Sequence, residues 1–145
     1  MSKKITLAML RKAGACKPQL DAFKRLFPRG VEVTVALCLK HAAAFEWRWA
    51  ARNLLSPSAQ AACDEVITTA WVAYIKAEAT ASATHDKAIG STWDKEYLAD
   101  PLAARERVAT ALATYNEADA AALAIYQDAM AVAWAEAFLC QDGDC

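Results

Sequence analysis

Few residues in this 145-residue chain are of types that do chemistry, and their spacing decides what chemistry they can support. The histidines are His41 and His85; the cysteines are Cys16, Cys38, Cys63, Cys140 and Cys145. Cys38 and His41 alone stand at a metal-ligand spacing, three apart and so on one helix face. A zinc site takes three or four ligands and no second pair follows, so a buried thiol beside a helical histidine is the better reading and no metal is expected. Neither histidine lies near the glycine-hinged Ser or Cys of a nucleophile elbow. Gly14, Gly30, Gly90 and Gly143 are too far apart to cradle a phosphate. The adjacent carboxylates Asp64 and Glu65 fall at the start of a helical arm, where the helix dipole explains them. The expectation is a non-enzyme with no catalytic residues and no cofactor. An odd cysteine count without a CxxC pair points to reduced thiols, as in a cytoplasm.

Charge offers binding surfaces instead. Residues 1–30 carry eight bases against Asp21 alone, a local net charge of +7, within a chain whose total is −1. Arg11, Lys12, Lys24, Arg25 and Arg29 are the candidate basic surface. Residues 115–145 carry six acids and no base, a local net charge of −6. Among these Glu117, Asp119, Asp128 and Glu136 are the candidate contact residues for a partner. Such a chain either attracts opposite partners at its two ends or lays its basic segment along its own acidic arm.

The element that would carry the acids is written as a repeat. From Cys63 to Glu136 an eleven-residue pattern occurs three times, is interrupted over residues 96–103, and occurs three times more. Its first place holds a ring or other sizeable group (Cys63, Tyr74, His85, Tyr115, Tyr126, with Ala104 the exception), its third a charge, and its eighth a small residue. At about 100° per residue, places 1, 4, 5 and 8 form one stripe and place 3 points away, which makes the pattern an amphipathic helix. Eleven residues in three turns predict nearly straight helices or a slight right-handed supercoil. Asp100-Pro101 supplies an N-cap and the ring that suits a first helical position. The spacing therefore predicts an antiparallel hairpin, one arm from about Pro57 to Leu98 and the other from about Pro101 to Leu139, each on the order of 60 Å long. Gly90, followed by Ser91, is expected to bend, break or fray the first arm.

Residues 1–55 differ in texture, with less Ala and more punctuation. Thr6 caps a helix with Leu7 and Leu10 inward and Gly14 at its end; Pro18 opens another, along which Leu20, Phe23 and either Leu26 or Phe27 recur before Pro28-Arg29-Gly30 breaks it. Val31-Glu32-Val33 reads as an extended link, and Thr34 caps a helix from Val35 through Phe45. Trp47, Trp49, Leu54 and Leu55 continue the apolar face to Ser56-Pro57. Two long helices bury only one seam, so Trp71, Trp93 and Trp134 need a cover, either this block or a second copy of the chain.

The architecture expected is all-α in a single domain, 1–145, with a compact block of short helices over 1–55 packed on a long antiparallel hairpin over 56–140 whose turn lies near 99–101. No apolar run approaches the roughly 18 residues of a membrane span, because Asp119 and Asp128 interrupt the second arm. Arg11 and Lys12 leave only Ile5–Leu10 as an apolar stretch, too short for an export signal. A soluble, unexported chain is expected.

The run from Leu10 to Pro57 resembles a leader-like helical segment of uncharacterised small Ala-rich helical proteins of bacteriophages and prophages. The AWVAY and YNEADAAA stretches are similar to the helical repeats that follow it there. The resemblance spans most of the chain and brings no catalytic residue with it. It implies a mobile-element origin, action in the cytoplasm of a bacterial host, and binding to a host protein assembly, including a defence system inhibited in an anti-CRISPR-like way. The alternative is an accessory protein that binds nucleic acid through the basic block and dimerises through the hairpin. A host protein is favoured, since no aromatic and basic interleaving of the kind used for base stacking is visible.

Overall fold

Thr6, Thr34, Ser56 and Asp100 each precede a helix and supply an oxygen to amides that the first turn leaves without a partner. In the computed structural model of the protein, which describes residues 3–93, 96–141 and 143, all four act as caps. Thr6 Oγ1 accepts from the Met9 amide at 3.3 Å, Thr34 Oγ1 from Leu37 at 3.1 Å, and Ser56 Oγ from Ala59 at 3.4 Å. Asp100 Oδ1 accepts from both Leu102 and Ala103 at 3.2 Å. The elements run β1 (Lys4–Ile5), α1 (Leu7–Lys12), α2 (Lys17–Leu26), β2 (Val31–Glu32), α3 (Val35–Lys40), α4 (Trp47–Leu54), α5 (Pro57–Trp93), α6 (Glu96–Ala99) and α7 (Pro101–Cys140). The fold is all-α, with 80% of the described residues helical, as the periodicity predicts.

Several boundaries differ from expectation for local reasons. The link at Val31 is one strand of a ribbon: Lys4 pairs with Glu32 and Ile5 with Val31, antiparallel, and the Val33 amide extends it by donating to Lys3 O at 2.8 Å. Gly30, at φ +77°, makes the approach possible, because a Cβ there would lie 2.7 Å from Ile5 O. The helix from Val35 stops at Lys40 instead of reaching Phe45. Tight turns follow through Ala44, and the Trp47 indole donates to Ala42 O at 2.7 Å, fixing the bend before α4. The first arm is helical from Pro57 to Trp93 and again over Glu96–Ala99 as α6, which contains Leu98; whether the two stretches join lies outside the described residues. Of the bend, break or fraying expected at Gly90, the break is absent: α5 continues through Gly90 to Trp93, since one glycine costs only about 1 kcal/mol of propensity, too little to break so long a helix.

The repeat is written into burial. All six first-place residues are buried or half-buried, and so are all six at place 5, from Ile67 to Met130. All six charges at place 3 are exposed. Place 4, expected on the stripe, is exposed in five copies; it sits at the stripe's edge, about 100° from place 5.

Two compact units are present: Met1–Ala70 with Gln127–Cys145, and Trp71–Tyr126. The division cuts both long helices. In the first unit the short helices pack around the end of α7. Trp134, 2% exposed, lies 5.3 Å from Trp47 and 5.0 Å from Phe138 between ring centroids, so the N-terminal block does cover this tryptophan. Phe23, Phe27 and Phe45 continue the cluster at 5.4–6.4 Å. Leu20 and Phe27 turn inward while Leu26 is exposed. Lys3 Nζ donates to Phe138 O at 3.0 Å, and the Ser56 amide to Gln141 Oε1 at 3.0 Å, tying both ends of the block to the last turns of α7.

The second unit is a two-helix hairpin. Trp71 meets Tyr126, Tyr74 meets Asp119 and His85 meets Tyr115, so positions descend along α7 as they ascend along α5. Among the described residues of this unit, only Ala104 and Tyr126 are buried. Trp71 packs on Tyr74 and Tyr126 yet stays 40% exposed. The surroundings of Trp93 lie outside the described residues.

Candidate interaction surfaces

α7 positions the acidic candidates, and its turn separates their roles. Glu117, Asp128 and Glu136 are exposed, whereas Asp119 is half-buried and accepts a 3.0 Å hydrogen bond from the Tyr74 hydroxyl. Asp119 thus faces the α5–α7 seam and holds the hairpin together. Glu117 and Asp119 belong to the second unit, Asp128 and Glu136 to the first. Glu78 adds a further carboxylate that sequence reasoning did not single out. The Tyr74 phenol is raised above its usual pKa mainly by its bond to Asp119, then by burial and the charges of Asp119 and Glu78. Tyr115 is raised by burial first and then by Glu78 and Asp119. One acidic pair therefore acts on both rings. Only the packing of α5 on α7 brings it together, which is why spacing along one helix could not reveal it.

The basic candidates form around helix ends. Arg11 and Lys12 close α1, Lys24 and Arg25 close α2, and all four are exposed, as is Arg29 in the turn that follows. Cations in a last turn complement the helix dipole, so part of this pattern serves the helices themselves.

A groove of about 900 Å³ runs between α5 and α7 in the second unit, past Ala77, Ala81, Thr84, Thr110, Thr114 and Ala118. Its threonine hydroxyls are turned back on their own helices. Thr80 donates to Lys76 O at 2.9 Å and Thr84 to Thr80 O at 3.0 Å; Thr110 and Thr114 repeat this toward Glu106 O and Thr110 O at 2.9 and 3.0 Å. With the hydroxyls engaged, the threonines offer the groove their methyl groups, beside Glu106, Arg107, His85 and Tyr115. In the first unit a cavity of about 70 Å³ lies among Phe23, Phe27, Phe45, Trp47 and Trp134. The buried Trp134 Nε1 has no hydrogen-bond partner there.

Cys38 is buried with its thiol pushed up to about 11 by desolvation, and His41 packs edge-on against Phe27 at 5.3 Å. Among the described residues no three His, Cys, Asp or Glu side chains are placed to share a metal ion. Cys16, Cys38 and Cys63 are free thiols, but Cys140 is disulfide-bonded. The expectation of reduced cysteines fails at that residue, because an odd count excludes complete pairing and not a single bond. The same expectation for Cys145 lies outside the described residues. α7 also departs from the hydropathy expectation: it contains an 18-residue window of mean hydropathy 1.2, long and apolar enough by composition to cross a membrane, with 33% of it buried. Alanine supplies that hydropathy without forming a greasy run.

No protein-family model, curated protein or solved structure matches the chain.

Proposed function

We propose that the protein is a non-enzymatic helical binding module of phage or mobile-element origin, acting in a bacterial host's cytoplasm by docking on a host protein assembly. Inhibition of a defence system, in the manner of an anti-CRISPR protein, is one form of action this proposal includes. The observation that supports it is the surface of α7. Glu117, Asp128 and Glu136 are exposed on a helix with no base after Arg107, and Ile125, 71% exposed, lies between two of them in sequence. An exposed acidic surface suits a basic site, such as one built to hold nucleic acid, and speeds encounter. Exposed apolar side chains beside it supply the tight contact.

The test begins with affinity capture from a bacterial host. Glu117→Lys with Asp128→Lys should then slow association with the captured partner about tenfold at low salt and flatten its salt dependence. Asp119 is left intact because it bonds Tyr74. Wild-type association by the folded double variant would reduce the acidic arm to a solvated face. A second reading is supported by the exposure of Arg11, Lys12, Lys24 and Arg25 at adjoining helix ends: the basic block binds nucleic acid. A mobility shift with random duplex and single strands, lost on reversing these four, would favour it over the first.

A further inference from the structure

The second unit leaves one face of its hairpin half finished. Along α5, Trp71 and Ile75 lie on one flank of the seam, as do Leu112 and Leu123 along α7. Because the helices are antiparallel, these two flanks form the same face, opposite the threonine-lined groove. The four side chains are 40%, 41%, 48% and 39% exposed. Such values belong to residues beside a seam, covered on one side and open on the other. Glu78 and Asp119 sit on this face toward the hairpin's open end, while exposed Arg105 sits toward its tip. Leu112 lies midway between Arg105 and Asp119 in α7.

We infer that this face binds a second copy of itself, antiparallel, with Leu112 near the two-fold axis and Arg105 of each copy against the Glu78 and Asp119 pair of the other. Two observations select this occupant and this orientation. The first is charge. Face-to-face pairing about a two-fold axis allows two arrangements. Tip over tip sets Glu78 of one copy on Asp119 of the other, stacking acids on acids. Tip over open end sets a base on those acids at both ends and brings the exposed Asp86 of each copy together near the axis, one like-charge pair against two favourable ones. Tyr74 and Tyr115 already feel the negative charge there: the bond to Asp119 comes first in raising Tyr74, and burial, followed by the charges of Glu78 and Asp119, raises Tyr115. The second observation is area. Two helices about 10 Å apart and roughly 23 residues long offer a face of about 700 Å². Covering it on both copies removes about 1,400 Å², within the range of stable interfaces. The same register carries Leu102 of one copy, 73% exposed, to Leu123 of the other. This pairing uses a different face from exposed Glu117 and does not depend on the host-binding reading.

Sedimentation of the full chain over a concentration series tests it. A reversible dimer is expected, with Leu112→Glu raising its Kd by about a hundredfold, since each dimer would bury two unpaired carboxylates. Arg105→Glu should raise Kd about tenfold, and adding Glu78→Arg should restore most of the loss. Far-UV circular dichroism checks the fold of each variant; Arg105 is exposed, so its reversal remains informative even where a leucine variant unfolds. A monomer at every concentration, an open-ended series of larger species, or a dimer that neither Leu112→Glu nor Arg105→Glu weakens would overturn the inference. So would a dimer that Arg105→Glu tightens, because that is the signature of acids stacked on acids.

Discussion

At the residue scale, two glycines of similar appearance in the sequence have opposite meanings. Gly30 combines a φ of +77° with 2.7 Å between an added Cβ and Ile5 O. An L side chain there is strained and collides with backbone, so Gly30→Ala should cost at least about 2 kcal/mol and lower the melting temperature by roughly 5 °C. Gly90 lies inside α5, and an added Cβ meets nothing within 4 Å. Gly90→Ala should therefore raise stability by up to about 1 kcal/mol, read in the same melts. A lower melting temperature for that variant would mean that the backbone there needs glycine. The buried thiols make a pH prediction. Cys38 and Cys63 are raised from 9.0 to about 11 by burial, with the charge of Asp64 adding to the effect at Cys63. Below pH 9 both folded and unfolded chains keep these thiols protonated. Between 9 and 11 the unfolded chain ionises them and the folded one does not. Stability should fall as pH rises through that window, seen as a lower urea midpoint. Near neutral pH, alkylation should label exposed Cys16 and spare Cys38 and Cys63.

At the scale of elements, the caps carry the boundaries. Asp100 satisfies two amides at the start of α7, so Asp100→Ala should destabilise the protein by about 1 kcal/mol, and Asp100→Asn should recover most of it. Equal melting temperatures for Asp100 and its alanine variant would leave Pro101 as the determinant. Cap residues announce themselves in sequence because the bond they make is local, three residues away at most. For the same reason Thr6, Thr34, Ser56 and Asp100 are legible in the amino-acid sequence, as is the inward first place of the repeat. The strand at Lys4–Ile5 and the end of α3 at Lys40 are not. The first exists only because Val31 lies beside it, and the second accompanies tight turns after which the Trp47 indole donates to the Ala42 carbonyl and the Glu46 amide to Gln19. Neither partner is specified by the local run of residue types.

On the scale of the whole molecule, burial is unevenly shared between the two units. Ala131, Ala133, Trp134, Ala135 and Phe138 near the end of α7 are buried, whereas residues 105–118 of the same helix include no buried residue. A segment that buries little apolar surface opens more readily than one held in a core. At concentrations low enough to keep the chain monomeric, amides of 105–118 should exchange faster than those of 131–138, measured by hydrogen–deuterium exchange with peptide resolution. At high concentration protection of 105–118 should rise, if the hairpin face meets a second copy. Uniform exchange along α7 would show that the helix opens as one unit and that its packing does not divide it.

The amino-acid sequence alone determined that the protein is helical, where its long helices begin, and which side of each faces water. These follow from bonds and periodicities that span a few residues. Folding in three dimensions decided the rest. It placed Trp47 on Trp134, turned Asp119 from a free acid into the acceptor for Tyr74, drew Glu78 beside it, and left Leu112 and Leu123 on one face with Trp71 and Ile75. Each of those facts joins residues tens of positions apart, and an alanine-rich repeat can slide past its neighbour by a whole repeat of three turns without changing its pattern. Register between helices is fixed only by the few large side chains that must meet, and which of them meet is a property of the packed structure.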